Sequence, residues 1–200
     1  MKHLRLILAP LALIATALPA LAQQLPLQTI STYLNSLKTV QAEFTQINDD
    51  GTISTGQIYI RRPGRVRFEY NPPDASLVLA GQGQVAIFDA KSNQPPEQFP
   101  LTRTPLNLIL APNIDLGRAK MVVGHGYDGT STTVTAQDPE YPEYGHIQMV
   151  FTGNPVQLRQ WIITDGSGQT TTVILGDLQE VRSIQPSKFN ISDEIKSRGF

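Results

Sequence analysis

From the start of the polar chain, apolar residues recur at Leu27, Ile30, Leu34 and Leu37, the spacing of one helical face. Pro26 sits well as a first-turn residue, so an amphipathic helix is predicted over 26–38. At Val40 the period drops to two. Val40, Ala42 and Phe44 alternate with Gln41, Glu43 and Thr45, which predicts a strand. Asn48-Asp49-Asp50-Gly51 reads as a turn and 56–62 (GQIYIRR) as the return strand. Pro63-Gly64 then leads into a strand over 65–70, with Val66, Phe68 and Tyr70 on one face. Further strands are predicted over 76–80 and 85–88, joined through Gly81-Gln82-Gly83, so this part is a meander of short antiparallel strands.

The middle of the chain breaks the pattern. Thr104-Pro105 pairs a capping residue with a first-turn proline, followed by Leu106, Leu108, Ile109 and Leu110 ahead of Pro112. A short apolar helix is predicted there. Strands then resume over 120–123, 132–136, 146–152, 158–164, 170–175 and 181–184, with Asp165-Gly166-Ser167-Gly168 as a hairpin loop. No repeat, low-complexity tract or dividing linker interrupts residues 23–200, which read as one domain. The predicted class is mainly β with α: about ten or eleven strands in a large curved antiparallel sheet, with short helices packed on one side.

The first 22 residues differ from all of this. Lys2 and Arg5 precede an apolar run over 6–18, and Ala20-Leu21-Ala22 supplies small residues before Gln23. This is the layout of a cleaved export signal, and its apolar run is shorter than the ~20 residues of a membrane span. Among 200 residues there is no Cys, which excludes disulfides, thiolate metal sites, Cys nucleophiles and lipid attachment at an N-terminal Cys. Sixteen basic and 17 acidic residues give a formal charge of −1, about −3 once Lys2 and Arg5 leave. No global field draws such a chain to nucleic acid.

Several local motifs carry little chemistry. Gly81-Gln82-Gly83-Gln84-Val85-Ala86 matches a dinucleotide-binding pattern, but a strand follows where a helix would have to begin, so a turn is expected. Arg61, Arg62, Arg65 and Arg67 beside Phe68 and Tyr70 resemble a nucleic-acid patch, yet strand alternation splits them between faces. The outward ones would meet acidic partner surfaces or water. Asp138, Glu140, Glu143 and His146 fit no metal template, and His125, placed in a Gly-flanked turn, accompanies no nucleophile motif. No catalysis, cofactor or metal is expected. The informative residue is Arg62, which shares a strand face with Ile58 and Ile60. A guanidinium there cannot lose its charge and needs acceptors. Carbonyl oxygens at the end of a covering helix would serve; alternatively, the long stem carries the charge to water at the sheet's mouth.

The order of VQAEFTQ (40–46), GQIYIRRPGRVRFEY (56–70), Asp74, SLVLAGQGQVAIFD (76–89), the TPLNLIL segment and two strands around Asp165-Gly166 resembles the LolA family of periplasmic lipoprotein carriers. The most specific piece is R-P-x-x-x-x-[FW]-x-[YH] after a Gly-initiated strand, and the likeness spans nearly all of residues 23–200. The resemblance implies an incomplete β-barrel of about 11 strands under a lid of helices, with an apolar cavity between them. It makes Arg62 the cavity arginine that latches the lid, and puts Phe68 where many members have Trp. Phe44, Ile58, Ile60, Val66, Phe68, Leu77 or Val78, Ile87, Met149, Phe151, Trp161 and Ile163 would line the cavity. Leu34, Leu37, Leu106, Ile109 and Leu110 would cover it. The implied function is a monomeric periplasmic chaperone that takes acylated lipoproteins from an inner-membrane ABC transporter and gives them to a LolB-like outer-membrane acceptor. The alternative is a binding or sensor module for another lipid or apolar ligand on the same half-barrel.

Overall fold

The computed structural model describes residues 23–104 and 106–200; the expected export signal and the first-turn Pro105 lie outside them. The elements are α1 (Leu27–Ser36), β1 (Thr39–Asn48), β2 (Ile53–Arg61), β3 (Arg65–Tyr70), β4 (Leu77–Gly81), β5 (Gln84–Phe88) and β6 (Glu97–Pro100). They continue with α2 (Leu106–Leu110), β7 (Val122–Tyr127), β8 (Thr132–Gln137), β9 (Gly145–Thr152) and β10 (Gln157–Asp165). β11 (Thr170–Leu175), β12 (Gln179–Glu180) and α3 (Ile191–Ser197) complete the chain. One sheet holds every strand, in the order β6-β5-β4-β3-β2-β1-β11-β10-β9-β8-β7, with β12 paired to β1. Each neighbouring pair is antiparallel, and β6 and β7 remain as free edges, so this is an open half-barrel. No helix among the described residues is long and apolar enough to cross a membrane.

Alternation along the strands builds two separate apolar layers. Val40, Ala42 and Phe44 of β1, Ile58 and Ile60 of β2, and Val66 and Phe68 of β3 turn inward and are buried. Val134, Met149, Phe151 and Trp161 do the same from the other half of the sheet. α1 and α2 lie on this concave side and share its core through Ile30, Leu34, Leu108, Ile109 and Leu110. Glycine is required at one central point: Phe44 pairs with Gly56, and a Cβ there would meet Glu69 O at 2.1 Å and the Phe44 ring at 2.7 Å.

The helices are not confined to one side. Leu77, Leu79, Ala86 and Phe88 face outward and are covered by Ile184, Phe189 and Ile191 from the C-terminal segment and α3. Val78, of opposite parity, belongs to the inner layer, which settles the choice between it and Leu77. The segment is also held by charge. Arg67 donates to Glu69 at 2.6 Å, to Glu194 at 2.9 Å and to the Lys188 carbonyl at 3.1 Å. Lys188 returns to Glu69 at 3.3 Å, and its Nζ lies 4.0 Å from the Tyr59 ring centre. Thus Arg67, expected to face solvent or a partner, is neutralised within the chain; its side chain is only 12% exposed.

Other differences have local causes. The strand predicted over 181–184 is replaced by the two-residue β12: Val181 N makes the last bond to β1, to Thr39 O at 3.0 Å, and the chain then carries Ile184 into the outer layer. β6 was not predicted, since its exposed EQFP sequence has no apolar alternation. His125 sits within β7, where its Nε2 lies 2.9 Å from Leu25 O, and not in a turn. The dinucleotide-like run is the two-residue hairpin turn between β4 and β5, with Gln82 at φ 55 and Gly83 at φ 79.

Gly56→Ala is expected to lower stability by about 1–3 kcal/mol through overpacking against Phe44 and the β3 backbone, as read from urea unfolding. A pH effect follows from the outer layer. Burial acts to raise the Glu69 and Glu194 pKa values, but bonds and charges from Arg67, with Lys188 and Arg198 respectively, hold both below the ordinary 4.5. Their contribution is therefore complete above that value and is lost as pH falls through the lowered folded values. Hydrogen exchange should show residues 181–200 opening in that acidic range, and Glu194→Gln should remove part of the dependence.

Candidate functional site

Arg62 stands where β2 ends beneath both covering helices. Its guanidinium donates to the carbonyl oxygen of Leu34 in the last turn of α1, and to Ala111 O, just beyond α2, at 2.6 Å. It also reaches Asn35 Oδ1 at 3.1 Å and Pro112 O at 3.5 Å. Carbonyls at helix C-termini lack intrahelical donors and carry the negative end of the helix dipole, so a cation is well placed among them. The main chain repeats the connection: Arg62 N donates to Lys38 O and Gly64 N to Leu110 O, each at 2.8 Å. Burial lowers the Arg62 pKa, but a guanidinium stays protonated, so its need for these acceptors persists.

Two polar residues on the buried face of α1 join the same network. Asn35 accepts from Ile114 N at 3.0 Å and donates to Ile114 O at 2.8 Å while also receiving Arg62. Ser31, 1% exposed, accepts from Leu116 N at 3.0 Å and donates to Leu27 O. The loop after α2 is thereby tied to α1, with Ile114 and Leu116 buried in the inner layer. Neither Ser31 nor Asn35 stood out in the sequence. The available signal was their position beside Ile30 and Leu34, at i+1 and i+5 of an otherwise apolar stripe. Tyr33 ties α1 to the other half of the sheet: its hydroxyl accepts from Leu158 N at 3.1 Å, beside the register shift in β10, and its ring meets Phe151 edge to face.

The inner face is largely filled. Ile58, Ile60, Val66, Met149, Phe151 and Phe44 are buried within the inner layer they share with Ile30, Leu34, Ile109 and Leu110. Leu37, just past α1, is half-buried. An open cavity of about 150 Å³ remains, with Phe68, Trp161, Val173, Val78, Ile147 and Leu106 as its apolar wall and Ile163, Gln46 and Tyr70 completing it. Of the residues expected to line a cavity, then, only Phe68, Val78, Trp161 and Ile163 do so here, because helix side chains occupy the rest of the concave space. Ile87 shares the inward parity of Val78 but lies in β5, beside the edge strand β6, and is 40% exposed.

An open antiparallel half-barrel, roofed by helices over an apolar face and tied through one arginine, is a fold suited to enclosing an apolar ligand. Residues 35–192 match the family model described as "Outer membrane lipoprotein carrier protein LolA", and the chain belongs to this family. It is similar to an outer-membrane lipoprotein carrier protein of Chromobacterium violaceum, 26% identical and covering 89% of this chain and 88% of that protein. It is likewise similar to the Chromohalobacter salexigens carrier protein, 25% identical over 94% and 93% of the two chains. A LolA superfamily protein from Nitrosomonas europaea, of known crystal structure, aligns with a TM-score of 0.44 at 10% identity, covering 83% and 98%.

Asn35→Ala strips one acceptor from Arg62 and both partners from Ile114. The expected cost is about 1–3 kcal/mol, with faster amide exchange at Ile114 and Leu116 than elsewhere in the protein.

Proposed function

We propose that this protein is a periplasmic carrier of acylated lipoproteins, exported by cleavage of the signal at 1–22 and acting as a monomer without catalysis or cofactor. It receives acyl chains from an inner-membrane releasing ABC transporter and yields them to a LolB-like outer-membrane acceptor. The observation that carries the reading is the Arg62 junction: one charged group at the edge of an apolar face holds the ends of both covering helices. Family membership supports the same assignment.

The energetics explain why such a junction suits a carrier. Each methylene removed from water is worth about 0.8 kcal/mol, so acyl chains do not cross an aqueous compartment unaided. A carrier must shield them and still release them. The residual cavity of about 150 Å³ is of the size that takes up a benzene ring, far below what several acyl chains occupy. Loading therefore requires α1 and α2 to move off the sheet, which breaks the Arg62 bonds. Charge-assisted bonds contribute roughly 1.5–3 kcal/mol, so their loss on loading lowers net affinity ten- to hundredfold and favours delivery.

Arg62→Leu should bind lipoprotein released from spheroplasts yet transfer it poorly to outer membranes, with ten- to hundredfold slower delivery of a labelled lipoprotein. Delivery at the wild-type rate would remove the latch role. Failure of the wild-type protein to accept any lipoprotein would remove the carrier assignment itself.

A further inference from the structure

The cavity wall contains a polar pair that an acyl chain's hydrocarbon does not need. Tyr70 and Gln46 both point inward from the sheet, on the face of Phe44 and Phe68, and the Tyr70 hydroxyl donates to Gln46 Oε1 at 2.6 Å. The pair is the start of a chain running to the surface. Gln46 Nε2 donates to Asn48 Oδ1 at 2.8 Å, Asn48 Nδ2 to Thr52 Oγ1 at 2.9 Å, and Thr52 Oγ1 to Asp50 Oδ1 at 2.7 Å.

The far end dictates the sense of every bond. Asp50, held below the usual carboxylate pKa by its bonds from Thr52, is ionised and only accepts. Thr52 must then spend its proton on Asp50 and accept from Asn48. That turns the Asn48 oxygen toward Gln46 and the Gln46 oxygen toward Tyr70. Two functions are left uncommitted at the cavity: the second Nε2 hydrogen of Gln46 and a lone pair on the Tyr70 oxygen. Burial, then the nearby Asp74 charge, pushes the Tyr70 pKa up to about 12, so the hydroxyl keeps its proton.

We propose that Gln46, oriented by Tyr70, is a carbonyl anchor in this cavity: its free amide hydrogen binds the ester carbonyl at the head of an acyl chain. The inference rests on the acyl-carrier reading and adds what the site selects within it. Position supports the assignment. Phe68, Trp161 and Val173 form the buried apolar wall, whereas Ile163, which lines the same cavity in the row of Asn48, is 41% exposed and marks the side open to water. A chain entering there places its methylenes against the aromatic wall and leaves its carbonyl at Gln46. Apolar pockets with a few placed polar groups recognise ligands in this way, the polar groups setting orientation. Gln46 thereby acts as a specificity-determining residue and Tyr70 as a positioning residue.

The test compares ligands of equal chain length with and without the carbonyl. One arm uses a synthetic S-diacylglyceryl-cysteine peptide and its dialkyl-ether counterpart; the second uses a short-chain phosphatidylcholine and its dialkyl-ether counterpart. Wild type should bind the ester form about five- to tenfold more tightly. A preference in either arm supports the anchor, and the arm in which it occurs identifies the source of the ester. Gln46→Leu should abolish the preference, bringing the ratio of ester to ether affinity to about one whatever the ether affinity becomes; Tyr70→Phe, which keeps the wall's shape, should reduce it and serves if the first variant does not fold. Equal binding of ester and ether by wild type overturns the anchor and leaves the carrier reading standing. Absence of binding to all four ligands overturns both.

Discussion

The guanidinium of Arg62 is charged at any pH the protein meets and sits at the edge of an apolar layer, so it must be surrounded by oxygen. Its acceptors come from two separate segments, the end of α1 and the residues after α2, which have no sequence proximity to one another. Pairing the two terminal nitrogens of one cation thus assembles the roof, while its buried Nε has no partner among the described residues. The side-chain bonds of Ser31 and Asn35 to Leu116 and Ile114 then weld the two covering segments into one unit. A roof built this way is fastened at its polar edge and lies on apolar contacts that impose no direction.

The two faces of the sheet are held by different physics. Inside, helices meet strands through aliphatic and aromatic side chains, with the Phe44, Phe68 and Trp161 rings meeting edge to face. Non-directional contacts of this kind reform against a lipid at little loss. Outside, the C-terminal segment combines an apolar cluster with a partly buried ion network centred on Arg67. Breaking one partner there strands a charge, which makes that attachment costly to undo. In the role proposed above, the movable cover and the permanent brace are therefore on opposite sides of the same strands.

Much of this was legible in the chain. The 3.6- and 2-residue periods located α1 and most strands, because burial on one face leaves a direct imprint on residue order. The same alternation put Arg62 on the face of Ile58 and Ile60, and the R-P motif tied it to the LolA family. Weaker imprints went unread. β6 is an exposed edge, β12 is two residues long, and α3 follows a segment with no strong period. Ser31 and Asn35 were hidden by the apolar stripe around them.

Residue order by itself determined the alternation of faces, the antiparallel-sheet class and the need of Arg62 for acceptors, since these depend on neighbours in sequence and on side-chain chemistry; the half-barrel shape was implied by the family resemblance. Only the tertiary structure decided which carbonyls meet that need, how much of the concave face the helices fill, and that Arg67 is spent on Glu69 and Glu194. Those outcomes depend on contacts between residues as far apart as Arg62 and Ala111 or Arg67 and Glu194. No local pattern encodes such pairings, because they arise where separate elements compete for the same volume and the same polar partners.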